Sequence, residues 1–373
     1  MTPHRRIAAR STGTAVLAAV LLALAALSGC STASAPGPSG PPGSAAVPAP
    51  PSGVPSTVEN CTTTLTTVAA AQAALDAALP GEKLCLTGGQ LSTAELTITR
   101  SGRPDAPVQV VSDGAVIRGI TVRADNVVIS GLATNAGSGI TLTGTGLTAR
   151  GNAVANATDD GILCKACTDS LIESNMVDRA DGTGIRIQGD RVTVRANTVS
   201  GSVRIRSRDA DGMRFFGTDL VFADNTIRDI KQIGYPQGQE PHTDCFQTFD
   251  DSSPRTYNVT ISGNRCTNVD AQCLIGTVSN RNYVGAPPGA LAIRFVNNVC
   301  NTGGAQSVYL ESYPDVEIRS NAFTGGQLLR AVLAVNGSTR VTVAGNTVAS
   351  GIPPVEVDDE SRAGFVDSGN TSG

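Results

Sequence analysis

The chain has 373 residues, with 28 lysines and arginines against 32 aspartates and glutamates and a formal net charge of −4. That balance gives no support to nucleic-acid binding, which draws on a surplus of cations. Tryptophan is absent and aromatic residues make up only 3% of the chain, which argues against a row of stacking platforms.

A basic stretch containing Arg5, Arg6 and Arg10 precedes the apolar run TAVLAAVLLALAALSG, which ends at Cys30. Positive charge followed by a short apolar run is the order of a secretory signal. The run is shorter than the ~20 residues that span a bilayer, so a transmembrane anchor is the weaker alternative. The string LSGC resembles the lipobox of bacterial lipoproteins. That resemblance implies removal of residues 1–29 and lipid on the Cys30 sulfur. The protein would then be exported and anchored to the bacterial cell membrane, facing outside the cytoplasm. Residues 30–56 are almost wholly Pro, Gly, Ser, Ala and Val and read as a semi-extended tether. Residues 57–373 suffice for one large domain with no second linker, expected as a monomer.

From there on, short β-rich phrases recur, each ending at an asparagine: GLTARGN, SLIESN, RVTVRAN, DLVFADN, NVTISGN, AIRFVNN, DVEIRSN and RVTVAGN. The asparagines are Asn152, Asn175, Asn197, Asn225, Asn264, Asn298, Asn321 and Asn346, spaced 23, 22, 28, 39, 34, 23 and 25 apart. A period of 22–25 residues with alternating apolar positions predicts a β-solenoid. No single coil can bury its own apolar face, so the coils must stack. Asparagine suits the turns by tolerating left-handed dihedrals, and its amides can bond from coil to coil.

A second phrase follows each turn. Its alignment puts Ile140, Ile162, Ile185, Met213, Phe246, Leu274 and Val308 inward, the last shifted by one place. Alternation then sends Leu163, Arg186, Arg214, Gln247, Ile275 and Tyr309 outward in one column.

These features resemble the right-handed parallel β-helix superfamily typified by pectate lyases. The opening AAAQAALDAALPGEKLCLTGG is similar to that group's capping helix and first strand. SGRPDAPVQVVSDGAVIRGITVRADNVVISGL is similar to the first coils of chondroitinase B-like polysaccharide lyases. The resemblance covers about residues 62–350. It implies an all-β, single-stranded right-handed parallel β-helix with a short N-terminal capping helix, and a polysaccharide as partner. It is specific for fold and much less so for activity.

Coil length localises the chemistry. The coils between Asn197 and Asn298 are the long ones, and their surplus forms three loops: TIRDIKQIGYPQGQEPHTD, DDSSPRTY and VSNRNYVGAPPGA. Long loops on a compact solenoid are usually functional. All three border the outward column and would wall a groove lined by residues 186–283. There His242, the sole histidine beyond the leader, stands beside Asp244, with an ordinary exposed loop histidine as the alternative.

Acid–base work on an anionic uronate polymer by β-elimination needs a cation for the carboxylate, a base for the C5 proton and an acid for the leaving oxygen. Arg186 and Arg214 can hold a carboxylate bidentately. His242 or Lys231 is the candidate base, oriented by Asp244, and Tyr235 the candidate acid. Gln247, Asp211, Tyr235 and Tyr283 are candidate substrate contacts. Asp244 and Asp211 could instead be turn residues, and the arginines, with Arg206 and Arg208, could simply pair with Asp209 and Asp211. No cofactor is required; Asp250 and Asp251 are a calcium candidate, with the start of a turn as the alternative. EPHTD is similar to the DPHD/E segment of mannuronan C5-epimerases, which begin with the same proton abstraction. The alternatives are a glycoside hydrolase using Asp211 and Asp244, and a non-catalytic glycan binder.

Once Cys30 is lipidated, eight of the nine cysteines remain, an even number suited to an oxidising compartment. Cys164 and Cys167 form a local CxxC pair, better read as a disulfide than as half a metal site, because no second CxxC or matching histidine exists. Cys245 and Cys273 share a phase in adjacent coils, as do Cys266 and Cys300. Stacked strands ~4.8 Å apart lie inside the disulfide window, so those pairs are expected, with Cys61–Cys85 tying the cap to the first strand.

Overall fold

The computed structural model describes residues 58–207, 209–250, 255–279 and 285–373. The expected signal (1–29), the lipid site Cys30 and the tether (30–56) lie outside the described residues, as do Arg208, Asp251 and Tyr283.

One α-helix, Val68–Ala77, stands at the N-terminal end and buries Ala71 and Leu75. Thr67 caps it by accepting the Ala70 N–H. The Gln72 amide donates to the Thr97 carbonyl and accepts the Thr97 N–H, at 2.9 and 3.0 Å. The helix thereby satisfies backbone groups of the strand Glu95–Ile98 that would otherwise be an open edge.

Beyond it the chain winds as a parallel solenoid with three strands per coil. One coil reads Met213–Phe216, Val221–Ala223 and Thr226–Arg228; the next reads Phe246–Phe249, Val259–Ser262 and Arg265–Val269. Each strand pairs in parallel with its counterpart one coil on. The expected inward residues stack in register, Ile162 on Ile185, then Met213, Phe246, Leu274 and Val308. All are fully buried. The outward column is equally regular, with Arg186 on Arg214, then Gln247, Ile275 and Tyr309.

The asparagines form one continuous ladder at the turn between the second and third strands. Each Nδ2 donates to the Oδ1 of the asparagine one coil on, at 2.8–3.0 Å from Asn152 through Asn346 to Asn370. Each Oδ1 from Asn175 onward also accepts the preceding asparagine's backbone N–H, as Asn225 does from Asn197. The left-handed residue is not the asparagine, however, but the one before it: Ser174, Ala196, Asp224 and Asn297 have φ of 55°, 53°, 55° and 57°. That residue makes the corner, and asparagine then turns its amide inward to satisfy buried backbone.

Two disulfides follow the expectation, Cys61–Cys85 and Cys164–Cys167. The other two do not. Cys245 bonds Cys266 and Cys273 bonds Cys300, with Cα separations of 6.3 and 5.9 Å. The stacking register itself is right, since Cys266 lies opposite Cys300. All four side chains point into the core, where the start of a coil's first strand faces that coil's own third strand. Each bond therefore closes one coil across its interior instead of joining two coils.

Candidate functional site

The expected site residues separate into two groups on either side of the start of the strand Phe246–Phe249. The first is a buried charge ladder. Asp160 Oδ1 accepts the Thr183 N–H, Asp211 Oδ1 the Asp244 N–H, and Asp244 Oδ1 the Gln272 N–H, at 2.9–3.0 Å. Each aspartate thus satisfies a backbone donor at the same phase one coil on. The Arg214 guanidinium bonds Asp209 at 2.8 Å and also Asp211, and lies over the Phe249 ring at 5.6 Å. Arg186 repeats the motif a coil earlier, with Asp160 at 3.7 Å and the Phe216 ring at 5.7 Å.

Arg214 and Gln247 are only 8% exposed, and Asp211 and Asp244 are fully buried. Burial pushes the Asp211 carboxyl above its usual range, although the Arg214 charge opposes it. Asp244 is raised well above by burial and then by the neighbouring Asp211 charge. Its Oδ2 is buried without a hydrogen-bond partner, as are Gln247 Oε1 and Arg214 Nε. Arg214 is therefore committed to aspartates rather than presented to a substrate, and Asp244 braces backbone rather than orienting an imidazole. The Asp211–Asp244 pair is in no position to reach a glycosidic oxygen.

The second group is open. His242 is exposed and lines a polar pocket of about 420 Å³ together with Gln232, Glu240, Asp270, Gln272 and Gln327. Lys231 donates to Asp270 Oδ1 at 2.8 Å beside it, and the Gln232 N–H bonds Asp270 Oδ2 at 2.9 Å. The Tyr235 hydroxyl oxygen accepts the Arg204 backbone N–H at 2.8 Å, a bond that ties the loop to the preceding coil. Gly303 and Gly304, at the equivalent turn two coils on, also line the pocket and pack close against the Asp270 and Ala271 backbone. Sequence reading missed Glu240, Asp270 and the three glutamines. Glu240 stands two residues before His242, but Asp270 is brought in only by coil stacking.

Asp250 accepts the Ser279 N–H at 2.8 Å and so braces backbone one coil on. Among the described residues no group of three or more His, Cys, Asp or Glu is arranged to hold a metal ion. On the outward column Tyr309 donates to Glu311 at 3.0 Å, and burial, with that carboxylate, pushes the phenol up to about 12.

Comparison with known proteins agrees with the winding. The family described as right handed beta helix region matches residues 108–236 and 138–348. The chain belongs to that family. No curated protein sequence matches this β-helix chain. Among solved structures, a mutant tailspike protein of E. coli bacteriophage HK620 in complex with a pentasaccharide aligns at 11% identity and TM-score 0.50. The alignment covers 83% of this chain and 63% of the tailspike. The catalytic unit of a GH87 alpha-1,3-glucanase from Streptomyces thermodiastaticus aligns at 12% identity and TM-score 0.49, covering 88% and 70%. An Azotobacter vinelandii mannuronan C-5 epimerase A-module aligns at 14% and 0.46, covering 82% and 94%. At 11% identity the likeness to the tailspike is one of fold alone. Four disulfides fit an oxidising compartment, outside the cytoplasm. No helix among the described residues is long and apolar enough to cross a membrane.

Proposed function

We propose that this β-helix protein acts on an anionic polysaccharide seated in the His242 pocket and cleaves it by β-elimination, with the imidazole as base. The observation that carries this reading is His242 itself. It stands solvent-facing in a polar pocket large enough for a sugar ring, on an inserted loop at the edge of the outward column. A general base must reach the proton it takes, and His242 meets that condition where the buried aspartates do not. Lys231 beside the pocket is paired with Asp270 at 2.8 Å, and would have to leave that carboxylate to meet a uronate carboxylate. C5 epimerisation would begin with the same abstraction. The tailspike, which binds a pentasaccharide on a similar solenoid, supports the glycan reading by analogy of fold alone.

A second reading is hydrolysis, favoured by one observation: the carboxylates of Glu240 and Asp270 line the same pocket, and hydrolysis needs two. Incubating the exported domain with a panel of uronate and neutral polymers separates the two. Unsaturated products measured by absorbance mark elimination; new reducing ends without unsaturation mark hydrolysis. Folded protein that produces neither from any polymer, and that leaves the C5 configuration unchanged by proton NMR, would remove the enzymatic reading and leave a glycan binder. The proposal includes lipidation at Cys30, which the mass of the mature N-terminal peptide tests.

A further inference from the structure

We infer that Arg204 is a positioning residue for the His242 pocket, holding from the preceding coil the loop that presents Glu240 and His242. This inference rests on the reading that the pocket is where the glycan is processed. Four successive carbonyls of that loop are tied down. Arg204 Nη1 donates to the Gln239 carbonyl and, at 3.5 Å, to that of Glu240. Gln232 Nε2 donates to the Pro241 carbonyl and the Ala210 N–H to the His242 carbonyl, both at 2.9 Å. With the backbone fixed from 239 to 242, Pro241 is buried while Glu240 and His242 face the pocket.

Arg204 grips the loop at two places. Its guanidinium holds the returning limb, and its backbone N–H donates to the Tyr235 hydroxyl oxygen near the tip. Its own base is rigid, because the Asp181 carboxylate accepts the N–H groups of Ile205, Arg206 and Ser207 at 2.8, 2.8 and 3.2 Å. A continuous set of bonds therefore runs from Asp181 through residues 204–207 to the backbone beneath His242. An arginine placed only for solubility would leave its donors in water. This one places Nη1 on the two successive carbonyls of Gln239 and Glu240, 35 and 36 residues along the chain.

The test compares the wild type with Arg204→Ala and Arg204→Lys by amide hydrogen exchange without substrate, by thermal melting and by turnover. In Arg204→Ala the amides of 235–243 should exchange roughly tenfold faster, while the strands Met213–Phe216 and Phe246–Phe249 exchange as before. Turnover should fall by roughly 10–100-fold, mainly in kcat, because displaced catalytic groups lose orientation. Lysine, which restores one donor, should recover part of both effects with no change in melting. Exchange of 235–243 in Arg204→Ala equal to wild type would overturn the inference, and so would equal turnover. A wild type that turns over no glycan would instead remove the proposed function, and the exchange result would still decide whether Arg204 braces the loop.

Discussion

Asn225→Ala tests what holds the coils together. Asn225 is 1% exposed and makes four side-chain bonds. Its Nδ2 donates to the Val194 carbonyl at 3.0 Å and to Asn264 Oδ1 at 2.9 Å. Its Oδ1 accepts the backbone N–H and the Nδ2 of Asn197, at 2.9 and 3.0 Å. A hydrogen bond is worth ~1 kcal/mol net, and a buried donor left unpaired costs ~1–3 kcal/mol. Alanine removes all four bonds and strands the Asn197 N–H in a dry interior. The expected loss is about 4 kcal/mol, near the upper end for a point mutation. Asn301→Ala is the control: Asn301 is exposed on the strand Val299–Thr302 and should stay within about 0.5 kcal/mol of wild type. The assay is equilibrium urea unfolding with the disulfides intact, followed by far-ultraviolet circular dichroism. A loss for Asn225→Ala below about 1 kcal/mol, or equal to that of Asn301→Ala, would refute the claim that the ladder carries stacking energy.

Two further outcomes follow from the buried cluster and the cysteines. Because the Asp244 carboxyl is raised well above its usual range by burial and by Asp211, the folded state holds that proton more tightly than the unfolded chain. The stability it contributes is full below the unfolded value near ~3.9 and is lost as pH rises through the folded value. Asp244→Asn keeps an oxygen for the Gln272 N–H and cannot ionise, so its stability advantage over wild type should grow from pH ~4 upward; parallel pH–stability curves would count against a neutral Asp244. Peptide mapping without reduction should recover Cys245 linked to Cys266 and Cys273 linked to Cys300, and recovery of Cys245 with Cys273 would contradict the intracoil closure.

Much of the architecture was legible because a solenoid writes itself as a period. The asparagine spacing located the turns, and alternation around Ile185, Met213 and Phe246 gave the outward column in register, including the one-place shift at Val308. The partners of Cys245 and Cys273 were not legible, although Cys61–Cys85 and Cys164–Cys167 were. Phase tells which cysteines stack, whereas pairing depends on which inward side chains meet across a coil. The left-handed corner was also misplaced by one residue, since spacing marks a turn without saying which of its residues carries the strain. The site was half legible. The long loop and His242 stood out, but Asp244, two residues later, points into the ladder, and nothing in a linear string separates an exposed residue from a buried one across that corner. Asp270 and Gln327 reach the pocket only through the stacking of later coils. For Arg214 the sequence left a substrate clamp and pairing with Asp209 and Asp211 both open, and the structure shows the pairing.

The measurement that bears most directly on the account is the turnover of His242→Ala on the polymer the wild type cleaves, read beside its urea midpoint. His242 lies outside the packed core on an exposed loop, so the midpoint should not move. A positioned acid–base group contributes ~10²–10⁴-fold to rate, and turnover should fall by that factor. An alanine variant that folds as the wild type does and cleaves as fast would contradict the assignment of the pocket as the catalytic site.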